Sequence, residues 1–247
     1  MTVSRPLPTA APPQDPVRDD RGTTAQRDAL AEALAAAALP LARRFAAGAT
    51  LWCASRSTPH HARHIAVEFV HPVVVGARSF PAAVVGLDDI DGLRAQLRPG
   101  DVLLVVGDPD DAHVAAALRR CGAWGVRSVL LAEACRSPSG IADHVVAVDD
   151  TTTLLSYHLL WELTQVVFEH PGLLDEPDPC IDDVCITCSD EATVAEVASL
   201  SEDGVADALD GGRRVRVDVS LLPDVGPGDL VLVHAGLALQ AVPEPVR

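Results

Sequence analysis

Positive charge is scarce in this sequence. Lysine and arginine together number 19, against 35 aspartates and glutamates, which gives a formal net charge of -16. A protein with this charge repels phosphate backbones and anionic membrane surfaces. The composition therefore argues against nucleic acids and membranes as partners.

Long apolar runs are also missing. No apolar stretch precedes residue 28, and the alanine-rich run from Ala29 to Ala38 contains Glu32 and is followed by Pro40. This run is too short and too polar to span a bilayer, and no secretory signal is recognisable before it. We expect a cytoplasmic protein, in which 48% apolar residues are enough to form a substantial core.

Cysteine is sparse, yet half of the six cysteines are clustered. Cys180, Cys185 and Cys188 fall within nine residues, whereas the other three are scattered through apolar segments. In a chain without an export signal, such a cluster is more typical of metal or thiol chemistry than of disulfides.

The first 170 residues show two kinds of pattern. Residues 1–24 lack apolar periodicity, which predicts a flexible tail, and residues 25–170 alternate strand-like with helix-like segments. The predicted strands are 50–54, 82–86, 102–106, 127–131 and 144–148, and the predicted helices are 26–47, 60–70, 88–97, 111–122 and 152–168. This alternation predicts an α/β domain with a parallel sheet covered on both faces, layered as in flavodoxin. Pro40 should kink or restart the first helix.

The pattern changes after residue 170. The segment 171–184 combines prolines with acidic residues and is interpreted as a linker. Beyond it, valines at every second position of 215–219 indicate a strand with one solvated face, and 230–234 is a short apolar strand. Gly211-Gly212 suits a hairpin turn before the first of these strands. Residues 185–247 are predicted to form a small, OB-like all-β barrel, a size that a partner or a metal would help to stabilise.

The stretch RVDVSLLPDVGPGDLVLVHAGLAL (216–239) resembles a known family. A valine-rich strand, a leucine-proline turn, a Gly-Asp turn and the tetrapeptide VHAG follow one another as in the HypC/HupF chaperones, which assemble [NiFe]-hydrogenase metal centres. With the CITCSD segment the resemblance covers 185–242. It implies a maturation factor, not an enzyme, which binds or transfers an iron fragment with cyanide and carbon monoxide ligands. The implied partners are a HypD-type iron–sulfur protein and the hydrogenase large-subunit precursor.

In that family a cysteine next to the initiator methionine holds the iron, whereas here the barrel-like segment is internal. Low-valent iron with strong-field ligands favours soft thiolate donors. Cys188 is nearest to the first predicted barrel strand (Thr193 to Leu200) and is the first candidate, followed by Cys185 and Cys180. His234 matches the VHAG histidine, which would contact the thiolate or the iron fragment. Alternatively, the three cysteines and His234 form a four-ligand zinc site that stabilises the barrel.

Residues 26–168 resemble SIS-type sugar-phosphate domains, in particular the phosphoheptose isomerases. The resemblance is carried by HARHIAVEFVHP (61–72), PGDVLLVV (99–106), GAWGVRSVLLA (122–132) and TTTLLSYHLLWEL (151–163). It implies a homodimer formed through this domain. It also implies an alternative function, that of a sugar-phosphate isomerase or sugar-phosphate-binding regulator with a zinc-stapled C-terminal module.

Two loops depart from the sugar-phosphate pattern. After the first strand, Ser55 and Ser57 keep hydroxyl groups of a vestigial site, but the expected glycines are missing. After the third strand the chain reads GDPDDAH (107–113), which places three aspartates where a phosphate dianion would lie. Like charges at this distance oppose phosphate binding. We therefore expect a domain that kept its fold and lost catalysis.

The phosphoheptose isomerases also bind a metal through a His and a Glu of the second helix and a Gln and a His of the last helix. His64 and Glu68 keep the first pair at i, i+4 spacing, so they share one helix face. The last helix offers His158, but Leu155 and Leu163 stand near the positions of the other ligands. His64 and Glu68 are either a vestige of the metal site or two neighbouring, partly buried side chains of one helix. The second interpretation is the simpler one.

Overall fold

The protein is represented by a computed structural model, which describes residues 20–133, 140–175, 192–201, 204–222 and 224–243. The helices are α1 (Asp20–Ala46), α2 (Pro59–Val70), α3 (Ile90–Gln96), α4 (Ala112–Trp124) and α5 (Thr153–Glu169), followed by a short 3-10 helix (Pro171–Leu173). The strands are β1 (Leu51–Ala54), β2 (Ala82–Val84), β3 (Val102–Gly107), β4 (Arg127–Glu133), β5 (His144–Val148), β6 (Thr193–Leu200), β7 (Val205–Asp210), β8 (Arg213–Asp218), β9 (Leu230–His234) and β10 (Leu237–Val242).

The first five strands form a sheet in the order β2-β1-β3-β4-β5, and all neighbours are parallel. The central strand β3 is buried along its whole length. Leu104 and Val106 face α1, α2 and α5, whereas Leu103 and Val105 face α3 and α4. A strand covered on both faces needs such a continuous apolar run. The predicted α/β class is therefore confirmed.

The first helix differs from the prediction at its start, and it does not restart at its proline. α1 begins at Asp20, inside the predicted tail, and is one helix through Pro40 rather than two. Leu34 and Leu41 are fully buried in the core that α1 shares with α5, and each such burial contributes about 1.5–3 kcal/mol. This packing outweighs the loss of one hydrogen bond at the proline.

The C-terminal strands form a closed barrel in the order β10-β8-β7-β6-β9. Gly211 and Gly212 make the predicted turn between β7 and β8, and both have a positive φ, of 57° and 80°. The barrel core consists of small aliphatic side chains: Ala195, Val197, Ala206, Ala208, Val217, Val219, Val231, Val233 and Ala238. The predicted small barrel is confirmed, and β7 and β10 are strands that the sequence pattern did not single out.

The barrel contacts α4 through a buried polar cluster. The indole nitrogen of Trp124 donates a hydrogen bond to Glu196 of β6. Arg120 of α4 forms an ion pair with the same carboxylate at 3.7 Å, and both side chains are 8% exposed. The amide of Gly212 donates to the carbonyl of Ala123 at 2.8 Å. The two domains therefore meet in a specific interface.

Among the helices of the described ranges, none has the length and apolar character that a bilayer span requires.

Candidate functional site

His234 is the described member of the predicted barrel site. It is the last residue of β9, and the preceding Val233 pairs with Thr193, the first residue of β6. Ala235 and Gly236 turn the chain into β10 with positive φ values of 50° and 82°. The VHAG tetrapeptide is thus a strand end followed by a tight turn, and it holds the half-buried His234 beside the start of β6.

The three clustered cysteines of the predicted site, Cys180, Cys185 and Cys188, lie outside the described residues. The two described cysteines, Cys53 and Cys121, are buried in the cores on opposite faces of the sheet. Burial raises the pKa of both thiols, and the charge of Asp143 adds to the effect at Cys121. Neither thiol is suited to act as a nucleophile or a metal ligand, because both require the thiolate.

The serines predicted after β1 serve the local turn. The hydroxyl oxygen of Ser55 accepts a hydrogen bond from the Thr58 amide at 3.1 Å and lies 2.9 Å from the Thr58 hydroxyl. Ser57 is exposed. His64 and Glu68 lie further along the chain, on α2. The vestigial site of Ser55, Ser57, His64 and Glu68 stays a prediction.

The N-terminus of α4 is occupied by a side chain of the protein itself. Asp111 accepts hydrogen bonds from the amides of His113 and Val114, and Arg56 of the β1–α2 loop approaches its second oxygen to 2.7 Å. Partial desolvation opposes ionisation of Asp111, but the two amides and the guanidinium outweigh it and lower the pKa of this carboxyl group. An incoming phosphate would have to displace this carboxylate from the amides that normally attract anions.

A second cluster joins α2 to α5. His64, Glu68 and His158 each offer one ligand atom, and the three atoms lie within 4.8 Å of one another. The His64 and His158 Nε2 atoms are 3.9 and 3.7 Å from the Glu68 Oε2 atom. Glu68 is buried, whereas the two imidazoles are partly open to solvent. The sequence analysis named the first pair and offered His158 from the last helix, and the structure places His158 beside Glu68.

The other nitrogen of each ring has its own partner. His158 Nδ1 lies 2.7 Å from the carbonyl oxygen of Leu154, and His64 Nδ1 lies 3.2 Å from the Tyr157 hydroxyl. Burial, together with the charge of Glu68, raises the pKa of Tyr157 and keeps it a neutral phenol. These contacts direct both Nε2 atoms toward Glu68.

The residues present fit a divalent metal ion of the kind implied by the resemblance to the phosphoheptose isomerases. Two imidazoles and one carboxylate are common ligands of zinc and related ions. At metal–ligand distances of about 2.0–2.1 Å, two ligand atoms of a tetrahedral site are about 3.3–3.5 Å apart, which is close to the separations in the cluster. His64, Glu68 and His158 would hold such an ion, which would act as a Lewis acid where it is bound.

Comparisons with known proteins match the two domains to different proteins. Residues 192–245 match the model of the HupF/HypC family. A phosphoheptose isomerase from Francisella tularensis is similar in structure, with a TM-score of 0.50 and 15% identity over 60% of this chain and 92% of that chain. The phosphoheptose isomerase GmhA from Neisseria gonorrhoeae follows with a TM-score of 0.46 and 17% identity over 61% of this chain and 92% of that chain. No curated protein matches the sequence significantly.

At such low identity the structural likeness establishes the fold of the first domain and not its activity. The chain thus joins an α/β domain with the fold of the phosphoheptose isomerases to a β-barrel that matches the HupF/HypC family.

Proposed function

We propose that this protein is a [NiFe]-hydrogenase maturation factor. Its barrel carries an iron fragment with cyanide and carbon monoxide ligands and hands it to the precursor of the hydrogenase large subunit. A HypD-type iron–sulfur protein supplies or shares the fragment. The observation that carries the proposal is the HupF/HypC match over residues 192–245.

The thiolate donor in this proposal is Cys188, with Cys185 as the second candidate and Cys180 as the third. Cys188 stands five residues before Thr193 in the sequence, and a chain of that length spans at most about 18 Å. Thr193 pairs with the residue before His234. This register supports a contact between the thiolate or its iron and the imidazole. The alternative is a structural zinc ion that is bound by the three cysteines and His234.

The α/β domain acts in this proposal as a scaffold without catalytic activity, and it pairs with a second copy. Three consecutive valines in the loop between α2 and β2 are largely exposed. The exposed fractions are 82% for Val73, 55% for Val74 and 101% for Val75. Contiguous exposed apolar residues are typical of interaction surfaces. Light scattering of the purified chain is expected to give twice the monomer mass, and a monomer would contradict the pairing.

The rival function is that of a sugar-phosphate isomerase or sugar-phosphate-binding regulator, which the fold of the first domain allows. The contact between Arg56 and Asp111 speaks against it, because the anion position is filled by the protein's own carboxylate. Heptose and hexose phosphates should therefore leave the melting temperature unchanged. A melting temperature that rises with sugar-phosphate concentration would support the sugar-phosphate function instead.

The decisive measurement for the proposed function is infrared spectroscopy of protein purified without oxygen from cells that mature their hydrogenase. Cyanide and carbon monoxide stretching bands are expected at about one iron per chain. A purified chain that contains one tightly bound zinc, shows no such bands and unfolds with a chelator would favour the zinc alternative instead.

Replacement of both Cys185 and Cys188 by alanine should abolish these bands and hydrogenase activity in complemented cells, because it removes the two soft donors nearest to the start of the barrel. The barrel should stay folded, as judged by circular dichroism. Cys135→Ala serves as the matched control and should mature hydrogenase normally. Full hydrogenase activity with the double replacement would rule out the thiolate role of Cys185 and Cys188.

A further inference from the structure

We propose that the first domain forms one wall of the site in which the barrel carries its iron fragment, and that Arg119 of α4 donates hydrogen bonds to the cyanide ligands. This inference rests on the proposed function, which assigns the fragment and its thiolate donor to the barrel. It gives the α/β domain a role beyond that of a scaffold. The observation behind it is a cleft at the junction of the two domains.

The cleft lies between α4 and the start of β6 and has a volume of about 370 Å³. Thr193 and Val194 line it from the barrel, and Arg119, Ile141 and Asp143 are among the residues that line it from the first domain. A volume of this size lies in the range of small-ligand sites. The buried polar contacts between α4 and the barrel hold the two walls together.

His234 lies on the barrel face that borders the cleft. Val194 pairs with Leu232 in the antiparallel ladder of β6 and β9. The adjoining residues Ala195 and Val233 enter the barrel core, so Val194 and Leu232 lie on its outer face. Because side chains alternate along a strand, His234 lies on the same outer face as Leu232. It is therefore the diagonal neighbour of Val194, at a distance of about 7–8 Å.

The cleft is also within reach of the proposed thiolate donor. Cys188 precedes Thr193, a residue of the cleft, by five positions, and a chain of that length spans at most about 18 Å. The proposed donor, the imidazole of His234 and the wall of the first domain can therefore meet at one site.

The two carboxylates of the cleft already have partners. Asp143 forms an ion pair with Arg127 at 2.7 Å and accepts a hydrogen bond from the hydroxyl of Ser128 at 2.8 Å. The hydroxyl of Thr193 donates to Asp210 at 2.9 Å. Neither carboxylate therefore needs a ligand to satisfy it.

Arg119 is the cleft residue whose charge is not balanced in this way. Its Nη1 atom donates to the carbonyl oxygen of Pro243 at 3.2 Å, and none of the ion pairs among the described residues involves its guanidinium. A guanidinium has five N–H donors, so others remain for a ligand. Cyanide is an anion whose nitrogen accepts hydrogen bonds, and charge-assisted bonds of this kind are the strong ones.

The rest of the cleft suits carbon monoxide. Leu118, Ile141, Ala142 and Val194 line it with apolar groups. Carbon monoxide bound to iron is a weak hydrogen-bond acceptor, so an apolar wall deprives it of little solvation, whereas cyanide needs a donor. One arginine beside an apolar wall therefore matches a fragment that carries both ligands.

The test is infrared spectroscopy of the full chain purified without oxygen, compared between wild type and Arg119→Gln. Loss of the guanidinium should shift the cyanide stretching bands to lower wavenumber, because less charge is withdrawn from the cyanide nitrogen. The fragment should also be lost about 10–100-fold faster after dilution into iron-free buffer, as removal of a hydrogen bond to a charged group predicts. Arg119→Lys keeps the charge and should restore most of the retention.

Arg63→Gln is the matched control, because it removes an exposed arginine of α2, on the opposite face of the sheet from α4. Its bands and retention should equal those of wild type. Ala142→Asp adds a carboxylate to the wall and should also weaken retention, so it serves if Arg119→Gln does not fold. Wild-type bands and retention in both wall variants would overturn the wall and leave the barrel as an iron carrier. Absence of the bands from the wild-type chain would overturn the proposed function as well.

Discussion

Asp111 places a carboxylate of the protein itself at the N-terminus of α4. Its carboxylate caps α4 and binds Arg56, which in turn contacts Asp88 at 2.9 Å. The amides at the start of a helix attract anions. In this chain the anion at the start of α4 is the side-chain carboxylate of Asp111. The amides at the start of α4 are therefore occupied by the protein's own carboxylate.

Asp111→Asn should lower the free energy of unfolding by about 1 kcal/mol at neutral pH, because it removes the negative charge that interacts with the helix N-terminus and, in a partly exposed ion pair, with Arg56. The folded state lowers the pKa of Asp111, so its contribution is complete above the ordinary pKa of an aspartate and is lost as the pH falls through the lowered value. The difference between wild type and variant should therefore shrink below about pH 4. Urea unfolding at both pH values measures it.

The control for this prediction is Asp110→Asn, which changes an exposed carboxylate one residue earlier. It should leave stability within about 0.5 kcal/mol of wild type at every pH. An equal loss in both variants would mean that net charge, rather than the cap, explains the effect.

At the scale of elements, α4 carries two glycines with opposite requirements. Gly125 ends the helix with a φ of 73°, and a Cβ there would lie 2.6 Å from the carbonyl oxygen of Gly211 in the barrel hairpin. Gly122 lies inside the helix and has open space around its Cα. The first glycine is needed both for the helix end and for the close approach of the barrel, whereas the second has no such role.

Gly125→Ala should destabilise the chain by about 1–3 kcal/mol, because an L-residue is strained at this φ and the backbone of the hairpin must move. Gly122→Ala should instead stabilise it by about 0.5–1 kcal/mol. Thermal and urea unfolding of both variants measure the difference. A neutral Gly125→Ala variant would show that the barrel does not pack against α4 in solution.

For the whole molecule, the buried cluster of Glu196, Trp124 and Arg120 makes the two domains one unit. Arg94 of α3 adds a longer ion pair with Glu196 at 3.9 Å. A buried charge is tolerated when it is paired and hydrogen-bonded, and these donors all come from the other domain. The face of the barrel around Glu196 is therefore covered by α4, and the proposed maturation partner would bind the barrel elsewhere.

This docking can be tested by introducing a protease site into the segment 177–184 of the full chain and cleaving it. The two fragments should stay together in gel filtration. Glu196→Gln should weaken the association by about 2–5 kcal/mol, because Arg120 loses its buried counter-charge. Asp224→Asn, which changes an exposed barrel carboxylate, should leave the fragments associated. Separation of the wild-type fragments after cleavage would show that the domains are merely tethered.

The local patterns predicted much of this architecture. Apolar runs of strand length placed the five strands of the sheet, because a parallel sheet buries both faces of each strand. A pair of glycines marked the β7–β8 turn, which requires positive φ values. The start of α1 was missed because Asp20 and its neighbours show no apolar periodicity, and its continuation through Pro40 depends on burial against α5 rather than on local propensity.

The candidate sites were predicted less completely, for a physical reason. The spacing of His64 and Glu68 shows that they share a helix face, but it does not reveal which helix covers that face. Packing of α5 on α2 brought His158 to the pair and directed its Nε2 atom toward Glu68. By contrast, the VHAG turn at His234 follows from adjacent residues, so its position at a strand end was recognisable from the sequence.

By itself, the sequence determined two domains, their fold classes and the chemical types of the candidate ligands, because hydrophobic period and turn residues act over a few positions. Only the tertiary structure decided that Asp111 meets Arg56 and that Glu196 is buried against Trp124. It likewise brought three ligand atoms from α2 and α5 together. These contacts join residues distant in sequence, and their formation depends on how whole elements pack.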